Sequence, residues 1–202
     1  MADFSLEDQY EGIVCGLDEV GRGPLSGPVV AACVIIPANK RTLSFISEIT
    51  DSKKISAKKR NEMYDYIVTH FPYAISEISP REIDDINILQ ASLKAMKEAH
   101  DKLSNIDHAL VDGNKAPTLS SNTITVVKGD SKSKTIAAAS IIAKVHRDKV
   151  MLELSKQYPH YGWESNSGYP TKQHREAIEI HGITPHHRKS FAPVKRFIES
   201  QQ

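Results

Sequence analysis

Two acids, Asp18 and Glu19, stand side by side in GLDEVGRGPLSGPVVAACVII, residues 16–36, where an apolar run gives out. Two more acids hold the same place relative to later runs: Asp112 closes HALVD, and Asp130 follows TVVKG. Carboxylates gathered in one place repel, and each resists ionising beside the others. A hard divalent cation removes that cost. Oxygen-only donors, without His or Cys, select Mg²⁺ or Mn²⁺ over Zn²⁺. Two such ions a few ångströms apart clamp both sides of an in-line phosphoryl displacement, one activating water and the other stabilising the departing oxygen. Metal-assisted phosphoryl displacement is thus the chemistry these acids suit, if the fold brings them together.

A sheet has to do that. EGIVCGLDE reads as a strand ending at the acids, and PVVAACVIIP as a second strand bounded by Pro28 and Pro37. Their Gly/Pro-rich link suggests a hairpin-like pair. Ser56 to His70 is helical by spacing, and YAISEIS alternates as a third strand. Ser79-Pro80 starts a helix, and Ile86 to Leu103 carries apolar residues at helical intervals. DHALVDG is a strand ending in Asp112, and TITVVKGD one ending just before Asp130. Ser131 is expected to open a long helix to about Gln157, with Ala137, Ala138, Ala139, Ser140 and Ala143 forming a small-residue face. Thr171 to His181 is a further helix closed by Gly182, and SFAPVKRFIES is a short last one. Antiparallel strands followed by βα units make a mixed α/β sheet. Parallel neighbours present their carboxyl ends along one edge, where ligands collect.

Two points stay open at this level. Adjacent residues of a regular strand face opposite ways, so Asp18 and Glu19 cannot both point at one ligand unless the strand bends or Glu19 acts through its carbonyl or a water. Asp130, followed by a helix, has a capping role as its rival reading.

The 202 residues are 40% hydrophobic and 25% charged, with a net charge of +1. That is ordinary for one globular domain. The N-terminus lacks a secretory pattern, and no apolar run is long enough to span a bilayer, so a cytoplasmic protein is expected. Cys15 and Cys33 sit in apolar runs and read as buried free thiols. DSKKISAKKR and KGDSKSK are basic patches, as polyanion binding requires.

Taken together, GLDEVGRGPLSGPVVAA, DSKKIS, HALVDGN, KGDSKSKTIAAASIIAKVHRD and SGYPTKQH resemble the bacterial ribonuclease HII family, over about Gly12 to Phe191. The resemblance implies a ribonuclease H-like fold, a mixed five-stranded sheet flanked by helices with a small C-terminal helical segment. It implies one catalytic domain over 1–202, with its core at about 12–160 and the helical segment at about 165–202. It places the family's carboxylate set, catalytic and metal-binding, on Asp18, Glu19, Asp112 and Asp130, with Mg²⁺ or Mn²⁺ as cofactor. The implied reaction is hydrolysis of RNA in RNA–DNA hybrids, and cutting 5′ to a single ribonucleotide in duplex DNA, by two metal ions, leaving 5′-phosphate and 3′-hydroxyl ends.

Gly21-Arg22-Gly23 would then read the ribose 2′-hydroxyl with its backbone; on spacing alone it is a tight turn. Tyr169 matches the family's tyrosine that stacks on the following deoxyribose. Ser52, Lys53 and Lys54 resemble its phosphate-contacting segment. Arg22 either meets phosphate or braces its loop. His174, His186 and His187 are read as packing or phosphate contacts, and Asp148 as an ion-pair residue. The expected partners are hybrid and ribonucleotide-containing duplex DNA, with no membrane and a monomeric chain. A replication clamp is compatible with the family, although VKRFIESQQ shows no clear motif for one. Two rivals remain: a nuclease or resolvase of the same fold with another substrate, and a non-catalytic nucleic-acid or nucleotide binder.

Overall fold

Residues 2–202 are described by a computed structural model. Five strands form one mixed sheet: β1 (Val14–Val20), β2 (Val29–Ile35), β3 (Tyr73–Ile78), β4 (His108–Asp112) and β5 (Asn122–Val126). Their spatial order is β3-β2-β1-β4-β5. The first three pair antiparallel, whereas β1–β4 and β4–β5 are parallel. The crossover to β4 is made by α1 (Ala57–His70), α2 (Pro80–Ile86) and α3 (Ile88–Asp101) around β3. Ser56 caps α1, and Ser79 caps α2 ahead of Pro80. Asn87, at φ 68°, ends α2 and caps α3 by accepting from the Leu89 and Gln90 amides.

The unbroken apolar run of β2 follows from burial on both faces. Val30, Ala32 and Val34 pack with α1 and with the long helix α4 (Lys134–Gln157). Val29, Ala31 and Cys33 pack with Ala91, Ala95, Met96 and Ala99 of α3. Both cysteines are buried and free. The small-residue start of α4 lies directly on β1. A Cβ at Gly16 would land inside the Thr135–Ile136 peptide, so only glycine permits that approach.

The chain then forms α5 (Trp163–Asn166), α6 (Lys172–His181, capped by Thr171) and α7 (Ala192–Ser200). These enclose a second core of Leu25, Met151, Tyr161, Trp163, Ala177, Ile178 and Val194. Among the described residues no helix is long and apolar enough to cross a membrane.

Two boundaries differ from the sequence reading. β1 does not stop at the acids: its pairing with β2 runs on to Val20. β5 stops at Val126, and Asp130 sits beyond it in a 3-10 turn, Gly129–Ser131, entered through Lys128 in the left-handed region at φ 57°. The long helix accordingly starts after Ser133, whose hydroxyl accepts from the Ile136 amide at 3.1 Å. Ser133 holds the cap position, and Asp130, three residues earlier in the turn, does not serve as the cap.

Candidate active site

The β1–β4 ladder ends at Leu17 and Val111, so Asp18 and Asp112 are the next residues at the carboxyl ends of two parallel neighbours. Asp18 shares the α4 face of β1 with Gly16, as strand alternation requires, and Glu19 points to the α3 face. The strand does not bend to join them. Instead Glu19 and Asp112 line a common cavity of about 190 Å³ at the sheet edge, walled by Arg22 and by Leu89, Leu93 and Met96 of α3. The carboxylates therefore gather around the rim of the sheet from both faces.

Asp112 Oδ1 accepts from the Gly129 amide at 2.6 Å, which ties β4 to the turn carrying Asp130. Asp18 Oδ1 accepts from the Glu19 amide at 2.7 Å. Burial pushes Asp18 well above the usual carboxylate range, with Glu19, Asp112 and Asp130 adding to it. Burial also raises Glu19, partly offset by Arg22, whose Nη1 lies 3.1 Å from Glu19 Oε1. Asp130 is raised by burial and next by Asp51 and Asp112, against Lys53. Asp18 thus feels the charge of the other three acids, which come from three parts of the chain.

Among the described residues no three side chains close into a ready-made metal cage. The donor chemistry nonetheless fits a hard cation. All the donors are oxygens, Asp18 is buried among like charges, and Glu19 Oε2 is buried with no hydrogen-bond partner. Each of those costs would fall beside a divalent ion.

The loop between β1 and β2 is held from the far end of the chain. Arg188, fully buried, donates from Nη2 to the Gly21 carbonyl at 2.6 Å, from Nη1 to that of Arg22 at 3.1 Å, and from Nε to that of Gly27 at 3.0 Å. Arg147, equally buried, donates to the carbonyls of Pro28, Ser26 and Ser167. Gly21 has φ +93°, and a Cβ there would overlap Arg147 and the Pro28 carbonyl. Gly23 instead faces the Tyr169 ring, with an added Cβ 3.4 Å from it. Tyr169 is 44% exposed. Its carbonyl takes the His174 Nδ1–H at 3.0 Å.

His174 Nε2 faces Trp163 Nε1–H, Ser26 Oγ and His187 Nε2, each at 3.1 Å. His174 and His187 are thus packing groups in a buried network. His186 is half-buried against Trp163 and Tyr158. Ser52 is buried and bonded to Ser140 Oγ at 2.7 Å, facing inward. Lys53 is mostly exposed, with its Nζ 3.9 Å from Asp130 Oδ2, and Lys54 lies 3.7 Å from Asp51. Arg22 pairs with Glu19 and so braces the cluster. Asp148 pairs with Lys144 at 2.7 Å and Arg60 at 3.7 Å.

Sequence reading passed over Asp51, Arg147 and Arg188. Asp51 heads DSKKIS and was open to notice. The two arginines carry no signal that separates a buried Arg from an exposed one.

A family model described as Ribonuclease HII matches residues 15–194. The chain is 50% identical over 189 residues to a ribonuclease HII of Magnetococcus marinus, covering 92% of this chain and 87% of that protein. Its fold is similar to that of ribonuclease H2 from Pyrococcus horikoshii, with 25% identity, a TM-score of 0.77, and coverage of 93% of this chain and 98% of that one. It is also similar to the ribonuclease HII of Archaeoglobus fulgidus, solved as a complex with PCNA, with 26% identity, a TM-score of 0.76, and coverage of 89% and 95%.

Proposed function

The chain belongs to the ribonuclease HII family and is a ribonuclease H-type hydrolase, and from that premise we propose that it cuts the RNA strand of RNA–DNA hybrids and also cuts 5′ to single ribonucleotides embedded in duplex DNA. The products are 5′-phosphate and 3′-hydroxyl ends. One observation carries the reading: the glycine loop is joined to the carboxylate cluster through Arg22 and Glu19, and the Tyr169 ring faces Gly23 of that loop.

In this reading Asp18, Glu19, Asp112 and Asp130 hold Mg²⁺ or Mn²⁺. Bound there, a pair of ions supplies the charge that activates water and stabilises the departing 3′ oxygen. The chain supplies the rest. Arg188 holds the carbonyls of Gly21 and Arg22 and so fixes the loop whose backbone groups meet a ribose 2′-hydroxyl. The Tyr169 ring stacks on the next sugar, where an added hydroxyl disturbs the fit. Lys53 meets a phosphate and fixes register. A replication clamp is compatible with this reading, since the similar ribonuclease HII of Archaeoglobus fulgidus was solved as a complex with PCNA.

The test is cleavage of a labelled DNA duplex with one ribonucleotide, in Mg²⁺, Mn²⁺ or chelator, beside Asp112→Asn. Metal-dependent cutting 5′ to the ribonucleotide, lost in the variant, is expected. Cutting of a long hybrid but not of this duplex would refute the readout assigned to the loop and Tyr169. No cutting of either would favour a different substrate or binding alone.

A further inference from the structure

The N-terminal arm precedes the segment matched by the family model, yet it grips the turn that carries Asp130. The Asp3 amide donates to Lys132 O at 3.1 Å, and Lys134 N donates to Asp3 O at 3.0 Å, a parallel bridge around Ser133. Glu7 is 1% exposed. Its Oε1 accepts from Ser133 Oγ at 2.6 Å, from Thr135 N at 3.0 Å and from Thr135 Oγ1. The same Ser133 caps α4, and the Ser133 amide donates to Gly129 O at 2.8 Å. Gly129 in turn donates to Asp112. One chain of hydrogen bonds therefore runs from Glu7 through Ser133 and Gly129 to Asp112, with Asp130 inside its span.

A cap alone does not require this. Ser133 already satisfies the Ile136 amide, and a buried carboxylate is costly to keep. Glu7 also leaves Oε2 buried without a partner. Negative charge at a helix N-terminus offsets part of that cost, and three donors on one oxygen offset more. The charge is spent where α4 meets the turn.

We propose that Glu7 is a positioning residue of the active site, fixing the Gly129–Ser133 turn and with it the placement of Asp130 against Asp112. The inference rests on Asp130 being a metal ligand. It extends the site to an arm that lies outside the family's matched segment.

Glu7→Ala and Glu7→Gln in the full chain test it, by calorimetric titration with Mn²⁺ alone, by kcat and KM on a hybrid, and by amide exchange across residues 129–136. Glu7→Ala is expected to weaken Mn²⁺ binding about tenfold, the lower end for groups that support ligands. It should lower kcat with KM unchanged and speed exchange in the turn, while Gln restores most of each. A Glu7→Ala protein that loses only thermal stability, with Mn²⁺ binding and exchange as in the parent, overturns the proposal. If that variant does not fold, Thr135→Val, which removes one donor, is read by the same three measurements and judged the same way. Asp130→Asn runs beside them. If it binds Mn²⁺ as the parent does, the ligand role of Asp130 is what fails, and exchange in the turn alone decides whether Glu7 holds it.

Discussion

The Arg188 guanidinium lies 2.6 Å from the carbonyl of Gly21, 167 positions away in the sequence, and both are buried. Burial and the nearby Arg147 charge pull the proton affinity of Arg188 down, so the loop carbonyls supply the compensation. Lysine cannot reproduce that fork of donors. Arg188→Lys should therefore cost about 3 kcal/mol of stability, as expected for a broken buried charged network. It should also lower cutting at an embedded ribonucleotide more than cutting of long hybrid. Denaturant unfolding and the two cleavage rates check both parts. Equal losses on the two substrates would show that Arg188 only stabilises.

The two loop glycines should behave differently. Gly21→Ala adds a Cβ at positive φ against Arg147 and Pro28, so both folding and activity should suffer. Gly23→Ala meets only the edge of the Tyr169 ring and should fold with a stability change under about 1 kcal/mol. Its deficit should appear as weaker discrimination between ribonucleotide and deoxyribonucleotide. Thermal melts with paired cleavage assays separate the two outcomes.

Tyr169 is exposed and supported from behind by His174, so removing its ring leaves the fold alone. Tyr169→Ala should keep the parent melting temperature and impair cutting at an RNA–DNA junction more than within long RNA runs. Rates on the two substrates decide it; parallel losses would remove the stacking role.

Asp18 is held among Glu19, Asp112 and Asp130 at a cost the metal-free protein bears alone. Neutralising it relieves repulsion. Asp18→Asn should abolish cleavage and raise the stability of chelator-treated protein by about 1 kcal/mol, as functional sites often trade stability for activity. An unchanged or lowered unfolding midpoint in chelator would mean that the acids do not strain the fold.

His187 accepts the Thr184 amide on Nδ1 at 3.0 Å and meets His174 through Nε2. Burial, with the two neighbouring histidines adding, brings it down to about 3 from 6.5. The folded protein therefore binds fewer protons here than the unfolded chain between those values. The stability this group contributes is full above pH 6.5 and is lost as the pH falls towards 3. From pH 7 to 5 that amounts to roughly 2 kcal/mol. Urea unfolding at pH 7 and pH 5 should show the loss, and His187→Gln should flatten it. The same slope in the variant would assign the pH dependence to other groups.

Much of this was legible in the chain itself, because strands and helices declare themselves through local periodicity and capping. Ser56, Ser79 and Thr171 start helices where their residue types say they should. The alternation and the β-branched runs mark all five strands, Asp112 ends β4, and Asp18 and Glu19 follow the last parallel pair of β1 with β4. Other features depend on distance in space, which no local pattern encodes. Asp130 reaches the site from a turn rather than a strand end, because Lys128 adopts a left-handed backbone and Ser133 takes the cap. Glu19 arrives from the opposite face through the cavity it shares with Asp112. Arg147, Arg188 and Glu7 are charged residues that a sequence places at the surface by default. Burial became tolerable only where folding brought carbonyls, or the first donors of α4, close enough to replace water.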